Sequence, residues 1–104
     1  MFEAYCEKWS KQAEGELLSE MGVELVTKCL DVAENKTDGR VVVHSDEGTA
    51  WVRPKYSDES DEVTASMMFS SKRRTEKLMN VPLYLVVLNV IAKTGGNYKS
   101  IYIE

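Results

Sequence analysis

The run VPLYLVVLNVIA, residues 81–92, constrains the fold more than any other stretch. It falls well short of the roughly 18 apolar residues that make a membrane-spanning helix. It is also too apolar to lie on a wet surface, so it belongs in a core. Read with period two, one row is Leu83, Leu85, Val87, Asn89 and Ile91, and the other is Tyr84, Val86, Leu88, Val90 and Ala92. Both rows are largely apolar, as in a strand covered on both faces. A central strand is therefore expected over 83–92. Gly95-Gly96 then reads as a hairpin turn into a further strand, NYKSIYI.

The N-terminal stretch carries a helical stripe. Phe2, Tyr5, Cys6, Trp9, Ala13, Leu17 and Met21 recur at spacings of three and four, which predicts an amphipathic helix over about 2–21. Gly22 stands where a left-handed residue would end it. Residues 23–33 are ambiguous. Val23, Val26, Cys29, Leu30 and Ala33 fit a helix, whereas the β-branched content and the turn that follows favour a strand.

Turn signals at Asp38-Gly39 and Asp46-Glu47-Gly48 bracket RVVVH (40–44) and TAWVRP (49–54) as a hairpin. Pro54 should end its strand or lie on an edge. In 62–70, Val63, Ala65, Met67 and Phe69 alternate with more polar residues, a half-buried strand. Residues 71–80 read as a loop or one to two helical turns, stopped by Val81-Pro82. The expected fold is α+β: an N-terminal amphipathic helix packed on an antiparallel β-sheet of about five to six strands, one domain over 1–104.

A chain of 104 residues, 43% hydrophobic and 29% charged, builds one core without needing metal or disulfides. Cys6 and Cys29 form no CxxC, and His44 is the single histidine. Two reduced, buried thiols are the plainer reading over a Cys6–Cys29 bridge. No metal site and no cofactor are expected. The N-terminus has no basic segment followed by an apolar run, so the reading is a cytoplasmic protein with no membrane association.

The net charge of −4 is unevenly spread, with residues 1–35 at −5, 36–70 at −3 and 71–104 at +4. Lys72, Arg73, Arg74 and Lys77 gather four cations in the last segment. In WVRPKY, Trp51, Arg53 and Lys55 alternate and so share one strand face, followed by Tyr56. Aromatic faces beside cations suit unpaired bases and phosphates. The same residues serve equally well as a solvated or protein-facing surface. Asp58, Glu59, Asp61 and Glu62 form an acidic connection without the spacing of a calcium loop.

His44 near Asp46 suggests general-base chemistry, but the tight turn between them argues against it. The TGGN turn (94–97) lacks the pattern of a phosphate loop. No nucleophile, base or metal constellation emerges, and the expectation is not an enzyme. A pocket lined by His44 or Asn89 would be the mark of a small-ligand domain.

The leading expectation is a small interaction or regulatory protein, an inhibitor among the options, binding a protein partner through a sheet face and charged loops. Tyr84, Tyr98 and Tyr102 are its expected interface residues, with a homodimer formed through the long apolar strand 83–92 as corollary. The alternative is a single-stranded nucleic-acid-binding module built on Trp51, Arg53, Lys55, Tyr56 and the 72–77 cluster.

Overall fold

The computed structural model describes residues 4, 7–8, 19–35, 38–57, 59 and 62–104. Its first continuous helix, α1, spans Glu20–Glu34. Ser19 is extended (φ −66°, ψ 164°) and its hydroxyl accepts the Gly22 N–H at 3.1 Å, so a helix begins where the one expected over 2–21 was to end. Most of that earlier stretch, Cys6 included, lies outside the described residues. Gly22 is inside the first turn of α1 and buried, not a terminator. The strand reading of 23–33 is likewise corrected. Met21, Leu25, Val26, Cys29, Leu30 and Ala33 are all buried at helical spacing, and that stripe outweighs the β-branched content.

The hairpin prediction holds. Strands β1 (Val41–His44) and β2 (Thr49–Ser57) pair antiparallel from Val41↔Val52 to His44↔Thr49. Gly48 makes their turn possible. At φ 153°, an added Cβ would stand 2.5 Å from the Ser70 carbonyl oxygen and 2.9 Å from Phe69 Cζ. The strand continues through Pro54, but past Val52 its flank is no longer covered by β1, which satisfies the edge condition for proline.

Strand β3 (Glu62–Ser70) buries Val63, Ala65, Met67 and Phe69, as the alternation predicts. Residues 71–80, expected as a loop or one to two helical turns, instead supply most of β4 (Thr75–Pro82). The basic segment shrinks to the turn 71–74. There the Ser71 N–H donates to the Arg74 carbonyl at 3.0 Å, and the Ser71 hydroxyl accepts from the Arg73 and Arg74 N–H groups.

The largest correction concerns the apolar run. Residues Leu83–Thr94 form helix α2, not a central strand. Leu83, Val86, Val87, Val90 and Thr94 are buried, spaced at i, i+3, i+4, i+7 and i+11. Pro82 precedes the first turn, and Gly95 ends the helix at φ 67°, the usual proline-before and glycine-after arrangement. Gly95-Gly96 is thus a helix terminus and not a hairpin. Strand β5 (Ser100–Ile103) follows.

The five strands lie in the order β4-β3-β2-β1-β5, every neighbouring pair antiparallel. Both helices pack on one face. Their buried residues join Val41, Val43, Ala50, Val52, Val63, Ala65, Met67, Phe69 and Ile101 in one core, and Thr94 Oγ1 lies 3.4 Å from Met21 Sδ where the helices meet. Each fully buried Val or Leu contributes about 1.5–3 kcal/mol through removal from water. Among the described residues, no helix is long and apolar enough to cross a membrane.

Candidate interaction face

With both helices on one side, the odd residues of β2 and the even residues of β1, β3 and β5 turn to the other. Register lines them up in rows across the sheet. The central row runs Lys77, Met68, Trp51, Val42, Tyr102, one residue from each strand. Val42 is buried within it, Trp51 and Met68 are half-buried, and Tyr102 is 40% exposed. The next row toward the β3 start brings Arg53 opposite Ser66, and Lys55 follows opposite Thr64.

The sequence therefore places Trp51, Arg53 and Lys55 correctly on one face. Lys77 joins them through the β3–β4 ladder. Arg53, Lys55 and Lys77 are each exposed, stand opposite neutral residues, and form no ion pair with a described residue. The Arg53 guanidinium donates to the Asp38 carbonyl at 3.4 Å. Tyr56 points the other way and packs against the core.

Lys72, Arg73 and Arg74 do not join that surface. Thr49 pairs with Ser70, so the 71–74 turn sits at the same sheet end as the 45–48 turn, which carries Asp46 and Glu47. Arg53 and Lys55 lie four and six residues from that end, about 13–20 Å away at strand rise. Arg74 is 3.5 Å from Glu76, which also takes a hydrogen bond from Lys93 of α2. That bond from Lys93, reinforced by the Arg74 charge, holds the Glu76 carboxyl below the ordinary range.

The three tyrosines expected at an interface are dispersed. Tyr84, on α2, is half-buried against the core. Tyr98 donates its hydroxyl hydrogen bond to Glu24 of α1, and that bond raises its pKa. Tyr102 stands on the open face, where its hydroxyl lies 2.9 Å from His44 Nε2. His44 Nδ1 is 3.1 Å from Thr49 Oγ1. Asp46 takes no part in this and instead pairs with Lys99 at 3.0 Å. The imidazole is held between two hydroxyls, and among the described residues no carboxylate hydrogen-bonds to it.

Where β1 stops short of β2, an open cleft of about 570 Å³ is lined by Asp38, Arg53, Lys55, Ser66 and Asn80, with Val32 and Ala33 of α1 behind them. Neither His44 nor Asn89 lines it; the Asn89 side chain donates to the Leu85 carbonyl of its own helix. Among the described residues there is no cluster of three or more His, Cys, Asp or Glu able to hold a metal. Cys29 is a free thiol, fully buried, and burial pushes its pKa up.

Among the described residues these features define an α+β protein with one antiparallel five-stranded sheet, α1 and α2 packed on one face and Lys8 reaching Glu62 on the other. Compared with family models, curated proteins and solved structures, the chain matches none of them.

Proposed function

We propose that this is a non-enzymatic binding module whose open sheet face receives an acidic segment of a protein partner. One observation carries the reading. Arg53, Lys55 and Lys77, without ion-pair partners among the described residues, surround the half-buried Trp51 and Met68 on a face that neither helix covers. Aromatic, Met and Arg side chains are the types enriched at protein interfaces, and three cations with no ion pair among the described residues suit carboxylates. The cleft beside Arg53 and Lys55 gives such a segment a concave place to end. A regulatory or inhibitory role, in the cytoplasm, is the setting that fits a small domain of this kind.

The alternation of Trp51, Arg53 and Lys55 favours a second reading, a stacking platform for single-stranded nucleic acid. Against it, the cations of the 71–74 turn are separated from Arg53 and Lys55 and share their end of the sheet with Asp46 and Glu47. Phosphates tracking from one cluster to the other would meet Lys77 between them, but at the turn they would also face Asp46 and Glu47.

The deciding experiment titrates Asp/Glu-rich and neutral peptides, and single-stranded DNA and RNA at two salt concentrations, while following backbone and indole NMR shifts. The proposal expects acidic peptides to shift Trp51 and its neighbours, and expects the double variant Arg53→Glu, Lys55→Glu to lose that response. Oligonucleotide binding with a steep salt dependence and a Trp51 shift supports the second reading instead. No response from any ligand would retire both.

A further inference from the structure

The two edges of the sheet differ in how they are protected. At the β4 edge, the ladder with β3 is interrupted between Ala65 and Met67, Asn80 sits at φ 51°, and the strand carries Glu76, Lys77 and Pro82. Bulges, charges and proline are the devices that prevent a further strand from adding. The β5 edge has none of them. Ser100, Ile101, Tyr102 and Ile103 are uncharged, and the strand has one described neighbour, β1.

Hydrogen-bond parity shows which backbone groups face outward. Arg40 and Glu104 exchange N–H···O bonds in both directions, at 3.3 and 2.8 Å. Even residues of β5 therefore turn their backbone groups toward β1, and those of Ile101 and Ile103 point to the free side. The β1–β2 turn gives the same answer independently. Ser45 and Gly48 bond reciprocally at 3.0 and 3.3 Å, which assigns odd residues of β1 to β2 and leaves Val42 and His44 for β5.

Side chains at this edge are apolar on both faces. Tyr102 is 40% exposed on the open face, and Ile103 is 43% exposed on the helix-covered face, although its partner Val41 is completely buried. A helix or loop laid on one face would cover one of them. A strand added at the edge covers both.

We propose that β5 pairs with β5 of a second copy, antiparallel about a two-fold axis through Tyr102. The occupant is a second copy because the edge is complementary to itself. Residues opposite one another in a sheet must share a face, and this axis sets Tyr102 against Tyr102 on the open side and Ile101 against Ile103 on the helix side. It also sets the outward backbone groups of Ile101 in one copy against those of Ile103 in the other, so both reciprocal hydrogen-bonded pairs form. The Tyr102 pair falls at the intervening close site, where Cα atoms approach to about 4.5 Å. Moving the axis to Ile101 would put Ile103 against Lys99 and Tyr102 against Ser100, wasting both apolar contacts.

The assembly has a consequence for the open face. The row Lys77, Met68, Trp51, Val42, Tyr102 continues across the seam into the same row of the other copy in reverse order. Two interaction faces thus become one surface with two-fold symmetry. The pairing rests on the β5 edge alone and stands whatever that face binds.

The test combines sedimentation from about 1 to 500 µM, a range that covers the affinity of a small seam, with a register-specific cross-link. The unaltered protein should dimerise within that range, and Ile103→Lys should weaken the dimer by about tenfold or more. In a Cys6→Ser background, Tyr102→Cys should form a covalent dimer under mild oxidation, because its Cα separation suits a disulfide. Ser100→Cys, displaced from the axis, should not. Circular dichroism and a cooperative melt establish that each variant is folded. A monomer throughout the concentration range overturns the proposal, as does a dimer indifferent to Ile103→Lys, or Ser100→Cys cross-linking as well as Tyr102→Cys.

Discussion

The Tyr102 hydroxyl lies 2.9 Å from Nε2 of His44, with the two rings tilted 35° to each other across the β1–β5 ladder. These residues are 58 positions apart in sequence. The contact fixes the orientation of the most exposed aromatic ring in the central row. Tyr102→Phe keeps the ring and loses the hydrogen bond. It should cost about 0.5–1 kcal/mol, the lower part of the usual range, because the bond is exposed. Denaturant midpoints at unchanged slope are the measurement, and His44→Ala should cost little more when combined with it than alone.

Gly48 makes a sharper prediction. A Cβ there would press on the Ser70 carbonyl at 2.5 Å, and the backbone is held at φ 153°. Gly48→Ala should destabilise the protein by about 2–3 kcal/mol, combining backbone strain with a contact against main chain that does not yield easily. Gly96→Ala provides the contrast. It shares a positive φ of 79° but meets nothing within 4 Å, so it should cost about 1 kcal/mol through strain alone. Thermal melts of the two variants should separate clearly.

The Glu76–Lys93 bridge ties β4 to the last turn of α2 and predicts an acid-side loss of stability. The folded-state pKa of Glu76 is lowered, so its contribution is fully present above the unfolded value, about 4.3. It disappears as pH falls through that value to the folded one. The stability difference between the unaltered protein and Glu76→Gln should therefore be constant near neutrality and shrink below about pH 4.3. Urea titrations at several pH values would measure it.

Cys29 is enclosed between α1 and the sheet, and burial raises its pKa. With thiolate both scarce and inaccessible, it should resist an aromatic disulfide reagent in the native protein and react at once in denaturant. In a Cys6→Ser background the labelling rate should then report the opening of the core. Prompt labelling under native conditions would contradict the burial.

What the sequence disclosed follows the strength of its periodic signals. In 62–70 apolar and polar residues alternate cleanly, and β3 appears where expected, as does the hairpin of β1 and β2. Residues 83–92 are apolar on nearly every side, so neither period stands out, and residue type alone suggested a strand. The better signal lay at the ends, in Pro82 before the run and Gly95 after it. For 23–33 the helical stripe competes with β-branched valines, and the Ser19 cap on Gly22 tips the balance toward helix.

The candidate face was legible only within one strand. Trp51, Arg53 and Lys55 share a side by alternation. The arrival of Lys77, Met68 and Tyr102 depends on register between strands, which no local pattern encodes. The separation of Lys72–Arg74 from Arg53 has the same origin, since nothing local reveals which end of a sheet a turn occupies.

The path of the chain into β5 also orders the steps of folding. Strands β1 to β4 are joined by short turns, so their contacts form with little loop-closure entropy. The β1–β5 ladder instead waits for α2 to cross the sheet and for residues 58 apart to meet. Zippering of the four-strand meander should thus be the early event, and seating of the fifth strand the late one. In a stopped-flow refolding experiment, indole emission from Trp51 should change before the Tyr102–His44 contact is made.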